Sequence, residues 1–89
     1  MLKINFSHQA DKFLRKIIQK HSKQLAQKIM SLRENPYPND SKKMKNADYY
    51  RVDSGEYRII YFIKEQMLHI CLVGKRNDDE VYKKYKRIT

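Results

Sequence analysis

At 89 residues and 40% hydrophobic content, the chain suits one small domain built on one core. Twenty Lys and Arg against ten Asp and Glu leave a net charge of +10, a field that attracts nucleic acid, acidic proteins or anionic membrane without choosing among them. No apolar run approaches the ~20 residues of a membrane span, the single cysteine excludes an internal disulfide, and the three histidines show no ligand spacing for zinc.

These features, with no N-terminal signal pattern, predict a cytoplasmic protein without membrane association. The charge excess is uneven. Residues 1–47 carry 11 basic and 3 acidic residues, and residues 48–89 carry 9 and 7.

Residues 2–6 predict a short strand with Leu2, Ile4 and Phe6 on one face. Ser7 is placed to cap a helix. Ala10, Phe13, Leu14, Ile17 and Ile18 then recur at helical spacing, with Lys12, Arg15, Lys16 and Lys20 on the other side. A break is expected at His21-Ser22, with Ser22 capping a second helix. Leu25, Ile29 and Leu32 form its buried stripe, with Ala26 beside it. Asn35-Pro36 ends it, because the residue before proline is pushed out of helical geometry. The two helices predict an antiparallel hairpin. Their basic faces are either solvated surface or a broad attraction for RNA.

Residues 36–48 predict a loop, in which Lys43-Met44-Lys45 forms a small extended piece with Met44 inward and the lysines outward. Two strands follow, about 49–53 and 56–63, joined by Ser54-Gly55. In that register Asp53 faces Glu56, Val52 faces Tyr57, and Arg51 faces Arg58. Arg51, Asp53, Glu56 and Arg58 share one face. Tyr50, Val52, Tyr57 and Ile59 share the other. Opposed arginines repel at a cost of roughly 0.2–1 kcal/mol. Either Asp53 and Glu56 neutralise them, or an anion is held between them.

After a turn at Glu65-Gln66, residues 67–73 predict a central strand that is apolar on nearly both faces. Cys71 belongs to the core there. His69, the lone polar residue, is expected to be hydrogen-bonded or at an edge rather than catalytic. Gly74 ends the strand, and Lys75-Arg76-Asn77 forms a basic loop. Asp78 or Asp79 can cap a last helix whose buried stripe is Val81, Tyr85 and Ile88. Tyr82 is displaced from that stripe by about 100°, so it is free either to pack or to face a cleft. The fold class is α+β: a small mostly antiparallel sheet, an N-terminal helical hairpin on one face and a C-terminal helix, in the order β-α-α-β-β-β-α. Residues 1–89 form one domain.

Most enzyme templates fail on this chain. It has two glycines, so no Gly-rich phosphate loop. It has no Ser-His-Asp or Cys-His pattern with supporting context. Cations and tyrosines remain. Arginine grips phosphate through paired donors and stays charged, and tyrosine stacks on an unpaired base. Placed together, they suit a metal-free phosphodiester site.

The runs Tyr50-Arg51-Val52, Gly55-x-Tyr57-Arg58-Ile59-Ile60-Tyr61 and Val73-Gly74-Lys75-Arg76, with Glu80-Val81-Tyr82, resemble the RelE family of the RelE/ParE superfamily of type II toxin–antitoxin systems. The resemblance covers nearly the whole chain. It implies a ribosome-dependent endoribonuclease that enters the ribosomal 30S A site and cuts mRNA there. No metal or cofactor is implied: the 2′-hydroxyl attacks the adjacent phosphate, leaving a 2′,3′-cyclic phosphate and a 5′-hydroxyl. By position, Arg58 and Arg76 match the family's phosphate-stabilising arginines. Tyr82 matches its base-stacking tyrosine and Arg51 a basic residue on the first hairpin strand. Lys43 and Lys45 match a basic-hydrophobic-basic RNA contact, and Lys75 of the Gly-Lys-Arg loop is a further candidate RNA-binding residue. The family pattern has a lysine, a candidate proton acceptor, where this chain has Asp53. A carboxylate there is either the base or a salt-bridge partner.

The resemblance also implies an acidic, RelB-like antitoxin laid over the toxin as an amphipathic segment, and no DNA binding by the toxin alone. Two alternatives stand beside the nuclease. One is a ParE-type, non-enzymatic inhibitor of DNA gyrase. The other is a catalytically silent RNA-binding relative, suggested by Asp53 in a basic residue's place.

Overall fold

Along the chain lie β1 (Lys3–Phe6), α1 (His8–Lys16), α2 (Gln19–Glu34), β2 (Lys42–Lys43), β3 (Tyr50–Ser54), β4 (Tyr57–Lys64), β5 (Met67–Lys75) and α3 (Glu80–Ile88). The computed structural model describes residues 1–45, 47–77 and 80–88, without the side chains of residues 80, 84 and 88. The strands form one sheet in the order β1-β5-β4-β3-β2, in which β1 runs parallel to β5 and every other pair is antiparallel. This is the expected α+β architecture. The expected caps Asp78 and Asp79 and the side chain of Ile88 lie outside the described residues.

Two apolar clusters sandwich the sheet. The larger joins Ala10 of α1 and Leu25, Ile29 and Leu32 of α2 to Val52, Tyr57, Ile59, Tyr61, Leu68, Ile70 and Val73. The smaller joins Ile60 and Leu72 to Val81 of α3, with Met44, Tyr49, Cys71, Tyr82 and Tyr85 packed around it. The helical pair therefore covers one face and α3 part of the other. Burying a residue of Leu or Ile size contributes roughly 1.5–3 kcal/mol, so the first cluster carries most of the fold.

Three local expectations need correction. The helix break falls at Ile17-Ile18, not at His21-Ser22. Both isoleucines take extended backbone (ψ 163° and 146°), which their β-branched side chains accept readily. Ile18 is consequently 62% exposed. Ser22 lies inside α2, where its hydroxyl donates to the Gln19 carbonyl at 3.0 Å instead of capping. Phe6 is 39% exposed, because β1 ends at the sheet edge while Leu2 and Ile4 pack on the core.

The third correction is the hairpin register. The loop is Gly55-Glu56, and Ser54 pairs with Tyr57, Asp53 with Arg58, Val52 with Ile59 and Arg51 with Ile60. Gly55 has φ +59°, as a type II′ turn requires at its first central position. Each pairing slips by two residues, so the division into two faces survives while the partners change. Arg51 and Arg58 do not oppose each other.

β5 also carries a bulge. Ile60 pairs with Leu72 but Tyr61 pairs with Ile70, which leaves Cys71 as the extra residue of β5. Strict alternation would send Ile70 and Val73 to opposite faces. The bulge lets both enter the larger cluster. Where β1 has ended, side chains complete the pairing of β5. Ser7 Oγ donates to the Cys71 carbonyl (2.6 Å), Gln9 Nε2 donates to the Val73 carbonyl (2.9 Å), and Val73 N–H donates to Gln9 Oε1 (3.0 Å). Ser7 also caps α1 as expected, accepting from Ala10 N–H at 3.0 Å.

Candidate active site

The face that carries α3 also carries the charges. Alternation turns Arg51 and Asp53 of β3 and Arg58 of β4 onto it, next to buried Ile60. Arg58 grips Asp53 as a fork: Nε donates to Oδ1 at 2.7 Å and Nη2 to Oδ2 at 3.2 Å. The remaining nitrogen, Nη1, donates to the Tyr82 hydroxyl. Arg51 Nη1 donates to the same hydroxyl at 2.6 Å. The Arg58 guanidinium lies 5.2 Å from the Tyr82 ring centroid, within cation–π range.

Arg76 completes the set. Its Nη1 stands 3.8 Å from Asp53 Oδ2, and its backbone N–H donates to the Glu56 carbonyl at 3.0 Å. That bond ties the loop after β5 to the hairpin turn. Gly74, two residues earlier and still within β5, lets α3 approach. A Cβ there would stand 3.1 Å from Val81 Cγ2, and Tyr82 is the residue after Val81. On the opposite side of the sheet, Gln24 of α2 packs against Gly55, and His21 Nδ1 and the Tyr57 hydroxyl are hydrogen-bonded at 2.7 Å. The hairpin tip is held from both faces.

Electrostatics follow from the fork. The Arg58 hydrogen bond holds the Asp53 carboxyl below the usual carboxylate range, against the opposing effect of burial. The same bond raises Arg58, keeping it charged. Burial pushes the Cys71 thiol up to about 12, so it is a poor nucleophile at neutral pH. His69 is placed as expected: it stacks on Phe62 (centroids 4.5 Å apart) and contacts Asn5 Nδ2 at 3.3 Å.

The structure thus brings together Arg51, Asp53, Arg58, Arg76 and Tyr82. It does not bring Lys43, Lys45 or Lys75 into that cluster. Lys43 lies opposite Tyr50 and lines a separate open depression of about 770 Å³ with Tyr37, Tyr49, Tyr50 and Phe62. Lys45 joins Lys43 and Met44 around a neighbouring one. Lys75 is exposed at the end of β5. The residue that sequence reasoning missed is Lys42. It pairs with Arg51 across β2–β3, and cross-strand partners share a face. With Asp40, Arg51, Val52, Asp53 and Arg58 it lines a cleft of about 80 Å³. The Lys42-Lys43 doublet before Met44 was the available signal, but only the strand register chooses between the two lysines.

This fold has known counterparts. Residues 4–80 match the family model described as ParE toxin of type II toxin–antitoxin system, parDE. The isolated E. coli RelE toxin is 28% identical over 100% of both chains, with a TM-score of 0.75. A double arginine-to-alanine mutant of E. coli RelE in the free state is 26% identical, covering 99% of this chain and 98% of that one, with a TM-score of 0.80. The toxin in the intact E. coli RelBE toxin–antitoxin complex is 26% identical over 88% of this chain and 100% of its own, with a TM-score of 0.75. A search of curated proteins by sequence found no match. The chain belongs to the RelE/ParE superfamily of toxins from type II toxin–antitoxin systems, and it is RelE-like.

Proposed function

We propose that this toxin is a ribosome-dependent mRNA endoribonuclease of the cytoplasm, cutting mRNA in the ribosomal A site by metal-free attack of a 2′-hydroxyl. The observation that carries this is the convergence of Arg51 and Arg58 on one Tyr82 hydroxyl, with Arg76 beside the Asp53 they surround. Two guanidinium groups that meet on a neutral oxygen hold a spot that suits a phosphate oxygen better. In the reaction the O2′–P bond forms and the P–O5′ bond breaks, giving a 2′,3′-cyclic phosphate and a 5′-hydroxyl. Negative charge grows on the non-bridging oxygens, where Arg58 and Arg76 stabilise it. Arg51 positions the backbone, and the Tyr82 ring orients a base by stacking.

Asp53 fits the counter-charge role better than that of base. Both its oxygens face arginines, and its lowered pKa makes it a weak proton acceptor. An acidic antitoxin partner is in keeping with the +10 charge and with the RelBE complex of the E. coli relative. The test is primer extension on translated mRNA after induction. Cuts within codons are expected from the wild type and not from Arg76→Ala. Growth arrest with intact mRNA would overturn the nuclease.

One observation favours a second reading: the matching family model bears the ParE name. A non-enzymatic gyrase inhibitor would instead produce DNA breaks and an SOS response without mRNA cleavage.

A further inference from the structure

Lys42 is an unclaimed cation on the face of the charged cluster. Its strand partner is Arg51, and it lines the same small cleft as Arg51, Asp53 and Arg58. Both acidic residues of that cleft have other partners. Asp53 accepts the Arg58 fork and faces Arg76. Asp40 accepts from Lys28 Nζ at 2.7 Å. That bond holds the Asp40 carboxyl below its usual range. The Lys42 side chain makes no hydrogen bond or ion pair among the described residues. Counting Lys28, Lys42, Arg51, Arg58 and Arg76 against Asp40 and Asp53, the cluster and its surroundings hold a net charge of +3.

A free ammonium in one cleft with the Arg51 and Arg58 guanidinium groups meets like-charge repulsion that an anion would relieve. β2 is the outer strand of the sheet and only two residues long. A ligand leaving the Arg51–Arg58 pair over Lys42 therefore crosses the open edge without obstruction by a further strand. Adjacent strands lie roughly 4.8 Å apart, so Lys42 and Arg51 address neighbouring points on one chain of anions.

We propose that Lys42 binds a backbone phosphate of the RNA strand next to the one gripped by Arg51 and Arg58, so that the strand runs across β2. This rests on the nuclease reading of the same site. Lys42 carries no base specificity, because a lysine on phosphate reads charge alone.

The test is binding of a single-stranded 2′-O-methyl oligoribonucleotide, which lacks the attacking hydroxyl, to the full chain over a series of salt concentrations. Each phosphate contact on a single strand contributes about 0.7 to the slope of log K against log salt. Lys42→Ala is expected to lower the slope by about that amount and to weaken binding equally for different sequences. Lys42→Arg is expected to restore both. Lys12→Ala, on the exposed side of α1, controls for loss of one charge from the chain. A Lys42→Ala slope equal to that of Lys12→Ala overturns the proposal while leaving the nuclease reading intact. So does unchanged binding with a slower single-turnover cut, which would make Lys42 a proton-transfer group. Failure of the wild type to bind the oligoribonucleotide at any salt overturns the RNA path altogether; mRNA cleavage mapping then decides separately whether the nuclease reading stands.

Discussion

Arg58 lies directly across the β3–β4 hairpin from Asp53, and its one guanidinium serves two partners: a two-point grip on the carboxylate and a donor to the Tyr82 hydroxyl. The carboxylate aims the fork, and the fork leaves one nitrogen directed at the place where α3 presents its tyrosine. Only about 15% of the Arg58 side chain is exposed. A partly buried cation of this kind needs an anionic neighbour, and Asp53 is that neighbour.

Replacing Asp53 by Asn separates its two candidate roles. As counter-charge, Asp53→Asn loosens Arg58 and lowers mRNA cleavage by about tenfold or less. A proton acceptor contributes roughly 10²–10⁴-fold, so a loss in that range would make Asp53 the base. Stability gives an independent readout. The folded-state pKa of Asp53 lies below its ordinary value of 3.8, so its contribution is present above that value and is lost as pH falls through the folded pKa. Thermal melts from pH 2 to 6 should show a shallower acid limb for Asp53→Asn than for the wild type.

Arg58→Lys keeps a charge and loses the fork. Lysine cannot hold both Asp53 oxygens in a plane and reach Tyr82 at the same time. Cleavage of translated mRNA is expected to fall by roughly 10²-fold or more, the scale of removing a donor aimed at a developing oxyanion. The protein should remain folded by circular dichroism. Equal activity of the lysine variant would mean that charge alone matters at this position.

The fold class was legible because its signals are periodic. Leu25, Ile29 and Leu32 repeat every turn of a helix, and all three are buried. Val52, Ile59 and Tyr61 follow alternation and the tight turns. The faces of the hairpin, and so the company of Arg51, Asp53 and Arg58, were equally readable. Partner choice was not, because pairing that slips by two residues preserves every face and only the turn geometry at Gly55-Glu56 fixes it. The Cys71 bulge and the Gln9 bonds to Val73 had no local signature. Neither did the choice of Lys42 over Lys43, which depends on a strand two residues long. Nor could sequence spacing show that Tyr82 receives both arginines, which depends on how closely α3 packs.

That packing is set at Gly74. A methyl group there would stand 3.1 Å from Val81 Cγ2 and 3.3 Å from its Cβ. Gly74→Ala should push α3 away from β5 and carry the Tyr82 hydroxyl off Arg51 and Arg58. Overpacking of this kind costs roughly 1–3 kcal/mol, readable by urea denaturation, and mRNA cleavage should fall with it. Val81→Ala removes the nearest obstructing methyl, Cγ2, at a cost of its own. The double substitution should lose less than the sum of the two single ones, a coupling that direct contact predicts. Strict additivity would break the link between Gly74 and the α3 position.

The β4–β5 turn offers a change that should stabilise the protein without touching the cluster. Glu65 and Gln66 both sit in the left-handed region, at φ 53° and 63°. Two-residue hairpins of this type favour Asn-Gly, because residues with a Cβ pay about 1–2 kcal/mol for that conformation. Gln66 is exposed, and glycine gives back part of the gain through its freer unfolded chain. Gln66→Gly should therefore stabilise by roughly 0.5–1 kcal/mol, or about 2–8 °C in Tm for a domain of this size. The turn lies at the far end of β4 from Arg58, so mRNA cleavage should be unchanged within about twofold. A lower Tm would show that the Gln66 side chain supplies more than its backbone costs.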